Sequence, residues 1–297
     1  MKLTMGLAQI SPRLGDMKAN LDKHLEFVER AAGQGVQLLV FPELSLTGYM
    51  LQDLVHEVAC LPDDPLFVPL LDASHKLDLV FGFAERDVRG RLFTAGAYLA
   101  QGHIVHVHRK LYLPTYGMFD EQRFLATGET VRTFATPFGR VALLICEDLW
   151  HLSLCYLAWI GGADYLVGLV SSPGRGVRAE SKRFSSAESW DILGSALARF
   201  FTSYVVFVNR VGFEDGVSFF GGSLAVGPSG HTVAQAPDLE ESLVIADLDP
   251  ARLRRERVKY PLLRDERPDL TLRELARILS SNQGGMSSMW PITGHGQ

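Results

Sequence analysis

The sequence predicts a layered α/β protein. Short apolar runs, which are typical of buried strands, alternate along the chain with amphipathic stretches that have helical spacing. In one region, three strands follow one another across short turns, so the chain combines hairpins with strands that are separated by helices. Chains of this kind pack their strands into sheets that are covered by layers of helices.

The strands are predicted from the apolar runs. They cover residues 3–10, 38–41, 77–85, 92–100, 103–109, 141–145, 165–170, 204–208, 218–226 and 242–245. The run 38–41 is continuously apolar, which is typical of a strand that is covered on both faces. Residues 77–109 are predicted to form an antiparallel meander because only turn-like residues separate the three strands.

Helices are predicted between these strands, over residues 19–32, 149–160 and 183–200. The first is supported by Leu21, Leu25, Val28 and Ala32, which recur at intervals of four, three and four residues and therefore share one face.

Two capping patterns indicate further helices near the end of the chain. Asp249 precedes Pro250, a residue that suits the first position of a helix. Thr271 and Glu274 form a capping-box pattern for a short helix that ends at Ile278. No linker-like stretch interrupts the chain before this point, so we predict one domain over residues 1–280. Residues 281–297 have no periodicity and are predicted to form a tail or an arm that packs on a partner subunit.

The composition is that of a soluble globular protein. Of 297 residues, 47% are apolar, and 29 basic against 34 acidic side chains give a net charge of −5. Such a charge gives no support for nucleic-acid binding. Three cysteines exclude a disulfide scaffold and fit a reducing compartment. We find no secretory signal and no apolar stretch of the roughly 18–20 residues that a membrane span needs, so a cytoplasmic protein is expected.

Three of the predicted strands end at residues that can carry out chemistry. Glu43, Lys110 and Cys146 come after the strands that end near residues 41, 109 and 145. In layered α/β proteins, catalytic groups lie beyond the carboxyl ends of strands. Cys146 stands at a strand-to-helix turn, where helix N–H groups are expected to favour the thiolate. Together the three residues supply a base, a cation and a nucleophile, which are the roles that acyl transfer requires.

Each of these residues also has a purely structural interpretation. A free cysteine is most often a small buried hydrophobe, and we interpret Cys60 and Cys155 in this way because neither lies at such a turn. Glu43 and Lys110, taken singly, are interpreted as solvated charges at strand ends.

Other kinds of site have weaker support in the sequence. His106 and His108 share one strand face, which suits a metal ion, but no H-E-x-x-H or C-x-x-C pattern accompanies them. His151 is an alternative base for Cys146, although nothing near it in the sequence orients its ring. The chain has no G-x-S-x-G, G-x-G-x-x-G or Walker sequence, so it lacks the signals of the corresponding hydrolases and nucleotide-binding proteins.

The strand ends also match a known family. FPELSLTGY (residues 41–49), HRKLYLPTYGMFDEQRFLATG (108–128) and ALLICEDLWH (142–151) resemble, in order, the glutamate, lysine and cysteine blocks of the nitrilase (carbon–nitrogen hydrolase) superfamily. The segments SSPGRG, VNRVGFEDGVSFFGGSLAVGPSG and PLLRDERPDL extend the resemblance from residue 3 to about residue 270.

This resemblance implies a four-layer α-β-β-α sandwich in which two subunits pack face to face, and hence a homodimer or a larger homo-oligomer. It implies that Glu43 is the base, Lys110 the cation and Cys146 the nucleophile of a Glu–Lys–Cys triad. Glu121 matches a second glutamate that many members place beside the pocket. The implied reaction is hydrolysis of an amide through a thioester, with release of ammonia and without a metal or organic cofactor.

The resemblance is closest to the glutaminase domain of glutamine-dependent NAD synthetases and its stand-alone relatives. In that comparison the pocket positions fall on a set of mainly polar and aromatic residues: Tyr49, Tyr116, Glu147, Trp150, Ser171 and Ser172. We favour an amidase or carbamoylase for a small amide. The alternatives are a separate glutaminase subunit that supplies ammonia to an NAD synthetase, and a non-catalytic scaffold of the same fold. The sequence has no feature that indicates a nitrile substrate.

Overall fold

The computed structural model describes residues 2–176 and 183–282. The strands are β1 (Leu3–Gln9), β2 (Leu38–Val40), β3 (Asp78–Arg86), β4 (Leu92–Ala100), β5 (His103–Arg109), β6 (Thr133–Thr136), β7 (Gly139–Ile145), β8 (Tyr165–Val170), β9 (Tyr204–Asn209), β10 (Val211–Glu214), β11 (Val217–Phe220), β12 (Leu224–Val226), β13 (Thr232–Gln235) and β14 (Ser242–Leu248). The α-helices are α1 (Met17–Ala32), α2 (Val55–Val58), α3 (Val68–Ala73), α4 (Leu152–Ile160), α5 (Ser185–Phe201), α6 (Pro250–Lys259), α7 (Leu262–Asp265) and α8 (Pro268–Asn282). Short 3-10 turns cover Gln52–Leu54, Pro65–Phe67, Glu121–Arg123 and Cys146–Trp150.

The strands form two six-stranded mixed sheets. The first has the order β14-β1-β2-β3-β4-β5, and the second has the order β13-β12-β9-β8-β7-β6. In the first sheet β1, β2 and β3 are parallel, whereas β3, β4 and β5 form the predicted antiparallel meander. In the second sheet β7, β8 and β9 are parallel. Strands β10 and β11 pair with each other as a separate ribbon.

The two sheets pack face to face, and helices cover the outer face of each. Successive side chains of a strand point to opposite faces. Val40 of β2 therefore packs against the second sheet, while Leu39 packs among the apolar residues of α1 and α3. Leu143 of β7 likewise points inward, and Leu144 packs under α4 and α5. Each such side chain contributes about 1.5–3 kcal/mol through burial. The predicted α/β class and the four-layer sandwich are confirmed.

One predicted strand is wrong. The segment 218–226 is divided at Gly221 and Gly222, whose φ angles are +77° and +63°, into β11 and β12, which lie in different sheets. A Cβ atom at Gly221 would lie 2.5 Å from Nε2 of Gln9, so the close approach of the chain also requires glycine. The apolar pattern continues across this turn, which is why it does not reveal the break.

The helices differ from the prediction at two places. The segment 149–160 is divided at His151, which has an extended backbone and separates the turn Cys146–Trp150 from α4. The capping box at Thr271 is wrong because α8 begins at Pro268, which places Thr271 inside the helix. Asp249 does cap α6, since its Oδ1 accepts a hydrogen bond from the Ala251 amide at 2.8 Å.

The arm predicted for residues 281–297 lies outside the described residues beyond Asn282. Among the helices that the structure describes, none has the length and apolarity to cross a membrane.

Candidate active site

Three strands deliver the predicted site residues to one edge of the sandwich. Glu43 comes after β2 and Lys110 after β5 in the first sheet. Strand β3 is parallel to β2, and two antiparallel pairings separate β3 from β5, so β2 and β5 run in the same direction and end at the same edge. Cys146 comes directly after β7, which lies beside the edge strand β6 in the second sheet. Since the two sheets face each other, the carboxyl ends of these strands meet in space.

The Lys110 ammonium lies between two carboxylates. Its Nζ donates a hydrogen bond to Glu43 Oε1 at 2.8 Å and another to Glu121 Oε1 at 2.7 Å. The Tyr49 hydroxyl donates to the same oxygen of Glu121 at 2.5 Å. Lys110 is completely buried, and Glu43 and Glu121 are buried as well. The second carboxylate oxygen of each glutamate has no hydrogen-bond partner among the described residues.

Burial and charge set the protonation states of this cluster. Burial raises the pKa of Glu43 to about 7, with the Lys110 ammonium opposing this shift and the Glu121 carboxylate adding to it. Burial lowers the pKa of Lys110, but the carboxylates of Glu121 and Glu43 outweigh it, so the pKa is raised and the ammonium stays charged. One buried cation therefore faces two acidic groups, and the raised pKa of Glu43 allows it to exchange a proton near neutral pH.

The thiol of Cys146 is close enough to this cluster to interact with it electrostatically. Burial, followed by the negative charge of Glu43, raises the pKa of Cys146 well above its ordinary value, and Lys110 opposes this change. The expectation that a helix N-terminus favours the thiolate is therefore wrong. Cys146 begins a five-residue 3-10 turn, whose few N–H groups do not offset the cost of burying a charge. The resting sulfur carries its proton.

The backbone at Cys146 adopts an uncommon conformation. Its φ angle is +45°, in the left-handed region, which costs a residue with a Cβ atom roughly 1–2 kcal/mol. Such positions persist where the surroundings impose them, and they are concentrated at functional sites. The turn that results ends strand β7 abruptly and leaves the sulfur beside Glu43.

A cavity of about 200 Å³ opens on Cys146. Four residues predicted for the pocket line it, namely Tyr116, Glu147, Trp150 and Ser172. Two others lie elsewhere: Tyr49 lines a neighbouring cavity together with Glu121, and Ser171 is buried with its hydroxyl donating to the Glu43 carbonyl oxygen at 3.0 Å.

The same cavity includes residues that the sequence interpretation missed: Phe119, Pro173, Arg175, Ser186, Ser189 and Trp190. Pro173 and Arg175 belong to the segment SSPGRG, whose resemblance to the superfamily was the available signal for them. Trp190 lies on α5, and which side of that helix faces the cavity depends on packing that the sequence does not specify.

The cavity carries opposite charges and aromatic walls. The Tyr116 hydroxyl donates to Glu147 Oε2 at 2.8 Å. The Arg175 guanidinium lies 5.0 Å from the centre of the Phe119 ring. The Trp190 ring nitrogen donates to Ser172 Oγ at 2.9 Å, which fixes the indole as a wall of the cavity. The cavity thus places a carboxylate, a guanidinium and aromatic rings around one small space.

The histidines considered as alternatives have other contacts. The His151 ring stacks on Tyr112 with the ring centres 3.4 Å apart, and the His106 ring stacks on Phe134 at 4.6 Å. His108 Nε2 lies 2.9 Å from Asp148 Oδ2. Within residues 2–176 and 183–282, no group of three or more metal-ligating side chains is arranged around a common point.

The other two cysteines differ from Cys146 in their surroundings. Cys60 and Cys155 are both buried. Burial raises the pKa of Cys60 to about 11 and that of Cys155 to about 12. Cys60 and Cys155 are members of apolar clusters. Cys146 packs against the cluster that contains Cys155, but it also faces a cavity and interacts with the Glu43 carboxylate.

Known proteins with similar sequences include synthetases and nitrilase-like enzymes. A glutamine-dependent NAD(+) synthetase of Thermotoga maritima is 32% identical over 255 residues, which is 84% of this chain and 42% of that protein. A probable nitrilase of Schizosaccharomyces pombe is 27% identical over 287 residues, covering 93% of this chain and 100% of that protein. The chain thus spans less than half the length of the synthetase that it matches.

Solved structures give the same picture of the fold. The glutamine-dependent NAD+ synthetase of Acinetobacter baumannii superposes with a TM-score of 0.77 at 29% identity, covering 85% of this chain and 47% of that one. The NitN amidase of Nesterenkonia sp. AN1 superposes with a TM-score of 0.77 at 24% identity, covering 91% of this chain and 99% of that one. The family model for carbon-nitrogen hydrolases matches residues 4–257. The chain belongs to the carbon-nitrogen hydrolase family of the nitrilase superfamily.

Proposed function

We propose that the protein hydrolyses the C–N bond of a small amide through a thioester on Cys146 and releases ammonia. The observation that carries this proposal is the buried Lys110 ammonium, held between the carboxylates of Glu43 and Glu121 beside the cysteine. A thiol, a base and a cation in one buried cluster at the wall of a cavity supply the groups that acyl transfer needs.

In the first step, the Cys146 sulfur attacks the amide carbonyl carbon while the Glu43 carboxylate accepts the thiol proton. A base with a pKa of about 7 suits this transfer near neutral pH. Negative charge develops on the amide oxygen. A lysine ammonium has three N–H donors, and Glu43 and Glu121 accept from two of those on Lys110, so the third serves the oxyanion.

A backbone N–H at Cys146 or Glu147 is the second donor to the oxyanion. Loss of one such donor typically raises the barrier by roughly 3–4 kcal/mol.

In the second step, protonated Glu43 gives its proton to the leaving nitrogen, the C–N bond breaks and ammonia departs, which leaves a thioester. Water then attacks the thioester carbonyl while Glu43 accepts one of its protons. The C–S bond breaks, the sulfur recovers a proton from Glu43, and the carboxylic acid leaves. Glu43 returns each proton that it accepts, so the enzyme ends the cycle in its starting state. The scheme uses no metal or organic cofactor.

The cavity supports a substrate of limited size that carries charge. Its volume of about 200 Å³ suits a small amide, and Glu147 and Arg175 offer opposite charges on its walls. An ω-amide of an amino acid presents an ammonium to Glu147 and a carboxylate to Arg175, while its amide group reaches Cys146.

This charge pattern also favours a second candidate function. The chain is similar to glutamine-dependent NAD(+) synthetases over less than half of their length. A glutaminase subunit that supplies ammonia to a separate NAD synthetase is consistent with both observations. In that case glutamine is the substrate, and the synthetase is the partner.

One panel experiment tests these candidates. Ammonia release is measured with glutamine, asparagine, other ω-amides, N-carbamoyl amino acids, simple amides and simple nitriles, with Cys146→Ala as the control. The amidase proposal predicts turnover of at least one amide that disappears in Cys146→Ala. Turnover of glutamine alone favours the glutaminase subunit, turnover of carbamoyl compounds favours a carbamoylase, and ammonia release from nitriles alone contradicts the proposal.

We also propose that two copies of the chain pack through the outer faces of α4 and α5. Leu157, Ile192 and Phe200 on these helices are 49%, 70% and 69% exposed. Large apolar side chains that are exposed on neighbouring helices are expected to be covered by a partner when they form one patch. Light scattering is expected to give at least twice the chain mass of 32.8 kDa, and a value equal to the chain mass contradicts the dimer.

A further inference from the structure

Asp148 is a buried carboxylate that the proposed reaction does not use. It is fully buried, it lies in the turn that begins at Cys146, and it is not among the residues that line the cavity. Its Oδ1 accepts hydrogen bonds from the amides of Leu111 and Tyr112, both at 3.0 Å. Its Oδ2 accepts from the Ile145 amide at 3.0 Å and lies 2.9 Å from His108 Nε2.

These four contacts join two segments that come from different sheets. Leu111 and Tyr112 come directly after Lys110, and His108 precedes it by two residues at the end of β5. Ile145 directly precedes Cys146 at the end of β7. One carboxylate therefore ties the backbone that carries the lysine to the backbone that carries the cysteine.

The contact to Ile145 acts on the strained part of the turn. Cys146 has a φ angle of +45°, and a conformation of this kind persists only where neighbouring contacts impose it. The Ile145 amide precedes Cys146 in the chain and Asp148 follows it, so the hydrogen bond between them bridges the turn that contains Cys146. Without it, strand β7 and the sulfur are free to relax away from the Lys110 ammonium.

We infer that Asp148, supported by His108, is a positioning residue that fixes the Cys146 sulfur relative to the Lys110 ammonium and the Glu43 base. The inference rests on the proposed function, because it assigns to Asp148 the alignment of that reaction's nucleophile. A displacement of about 1 Å in a catalytic group can cost on the order of a hundredfold in rate. Loss of this contact is thus expected to affect the reactivity of the sulfur and kcat, while KM changes little.

The first test measures the sulfur directly and does not depend on knowing the substrate. Folded wild-type protein and Asp148→Asn are treated with iodoacetamide, and the alkylation rate of Cys146 is measured by peptide mass spectrometry. We expect Asp148→Asn to slow alkylation about tenfold or more. An unchanged rate in an Asp148→Asn protein with native near-ultraviolet circular dichroism overturns the inference.

Asp164→Asn is a matched control. Asp164 also accepts a hydrogen bond from a backbone amide of β7, that of Arg140 at 2.9 Å, and it pairs with Arg257, but at the opposite end of the strand. This variant is expected to lower the melting temperature and to leave the alkylation rate of Cys146 within about twofold of wild type. A tenfold loss in Asp164→Asn as well overturns the inference, because any weakening of β7 then has the same effect.

A pair of variants at His108 covers the case in which Asp148→Asn does not fold. His108→Leu removes the donor to Asp148, whereas His108→Gln retains an N–H that can reach the carboxylate. We expect alkylation to be several-fold slower in His108→Leu and close to the wild-type rate in His108→Gln. Equal rates in the two variants overturn the role of the hydrogen bond.

The kinetic test uses the substrate that the panel identifies. Asp148→Asn is expected to lower kcat at least tenfold with KM within about twofold, and an unchanged kcat overturns the inference. If the wild-type protein turns over nothing in the panel, the proposed function fails, while the alkylation series still decides whether Asp148 positions the sulfur.

Discussion

Two buried ionic clusters lie within the same end of the molecule, and they differ in how fully their carboxylate oxygens are satisfied. In one, Arg210 faces a single carboxylate, Glu214, at 2.6 Å. Nε of Arg210 has no hydrogen-bond partner among the described residues. Both Glu214 oxygens accept hydrogen bonds, however, one from Arg210 and the other from the amides of Tyr49 and Met50 at 2.7 and 2.6 Å. The guanidinium also lies 4.3 Å from the centre of the Phe219 ring. Here one cation balances one anion.

In the other cluster, Lys110 faces two carboxylates, and one oxygen of Glu43 and one of Glu121 have no hydrogen-bond partner among the described residues. The pKa of Glu43 in this cluster is raised to about 7, chiefly by burial. Buried polar groups are normally satisfied, and strongly shifted pKa values are concentrated at functional sites. The contrast supports the proposal that the Lys110 cluster moves a proton during the reaction, whereas the Arg210 cluster holds the Tyr49 loop in place.

The largest effect is expected at the nucleophile. Cys146→Ala should abolish ammonia release with a native circular dichroism spectrum, because no other residue among those that line the cavity can form the thioester. Cys155→Ala removes a buried thiol on the outer side of the second sheet and should retain activity. Measurable turnover in Cys146→Ala contradicts the thioester.

The two cations give the next largest effect and compare the clusters directly. Lys110→Met and Arg210→Met should each lower the free energy of unfolding by about 3–5 kcal/mol, because the first leaves two buried carboxylates without a cation and the second leaves one. Only Lys110→Met should also lower kcat/KM by a factor on the order of a thousand, through loss of the oxyanion donor. Urea unfolding and steady-state kinetics measure the two quantities. Similar losses of activity in both variants show that the two clusters do not differ in function.

The pH dependence sharpens the comparison, because burial raises the pKa of Glu43 in the Lys110 cluster into the neutral range. The folded pKa of Glu43, about 7, exceeds its ordinary value of 4.5. The folded state therefore binds this proton more tightly than the unfolded state, so the contribution of Glu43 to stability is present below about pH 4.5 and is lost as the pH rises to about 7. Activity changes in the opposite direction, since the base must be ionised.

We expect kcat/KM to fall below about pH 7, with a slope of one proton. Glu43→Gln should be nearly inactive, and its urea midpoint should fall less than that of wild type between pH 4.5 and 7. An acidic limb of the rate profile near pH 4.5 contradicts the raised pKa.

The smallest effect is expected in the cavity. Tyr116→Phe removes one hydrogen bond to Glu147, and Arg175→Gln removes a charge from the opposite wall. Tyr116 is 55% exposed and acts on the substrate only through Glu147, so its loss should cost about 0.5–1.5 kcal/mol, whereas loss of the Arg175 hydrogen bond to the substrate carboxylate should cost about 1.5–3 kcal/mol. For an ω-amide of an amino acid, KM should therefore rise several-fold in the first variant and about tenfold or more in the second. A simple amide without charges should show no change in either.

The sequence predicts the layers better than it predicts the pocket. Buried strands are continuous apolar runs, so the polar residue that ends each run, such as Glu43 or Cys146, is conspicuous. Which face of α5 meets the cavity is decided by packing between distant segments, so Trp190 was not identified. The expectation of a thiolate at Cys146 is wrong because the local backbone does not reveal the desolvation and the Glu43 charge that raise the pKa of this thiol.

A single series of samples decides whether Cys146 is the nucleophile on which the proposed reaction depends. Portions of the wild-type enzyme are treated with iodoacetamide for increasing times, and each is assayed for ammonia release and for the alkylated fraction of each cysteine by peptide mass spectrometry. If Cys146 is the nucleophile, activity falls in proportion to the alkylated fraction of Cys146 and reaches zero when that fraction is complete. Activity that survives full alkylation of Cys146, or that is lost in step with Cys60 or Cys155, contradicts this assignment.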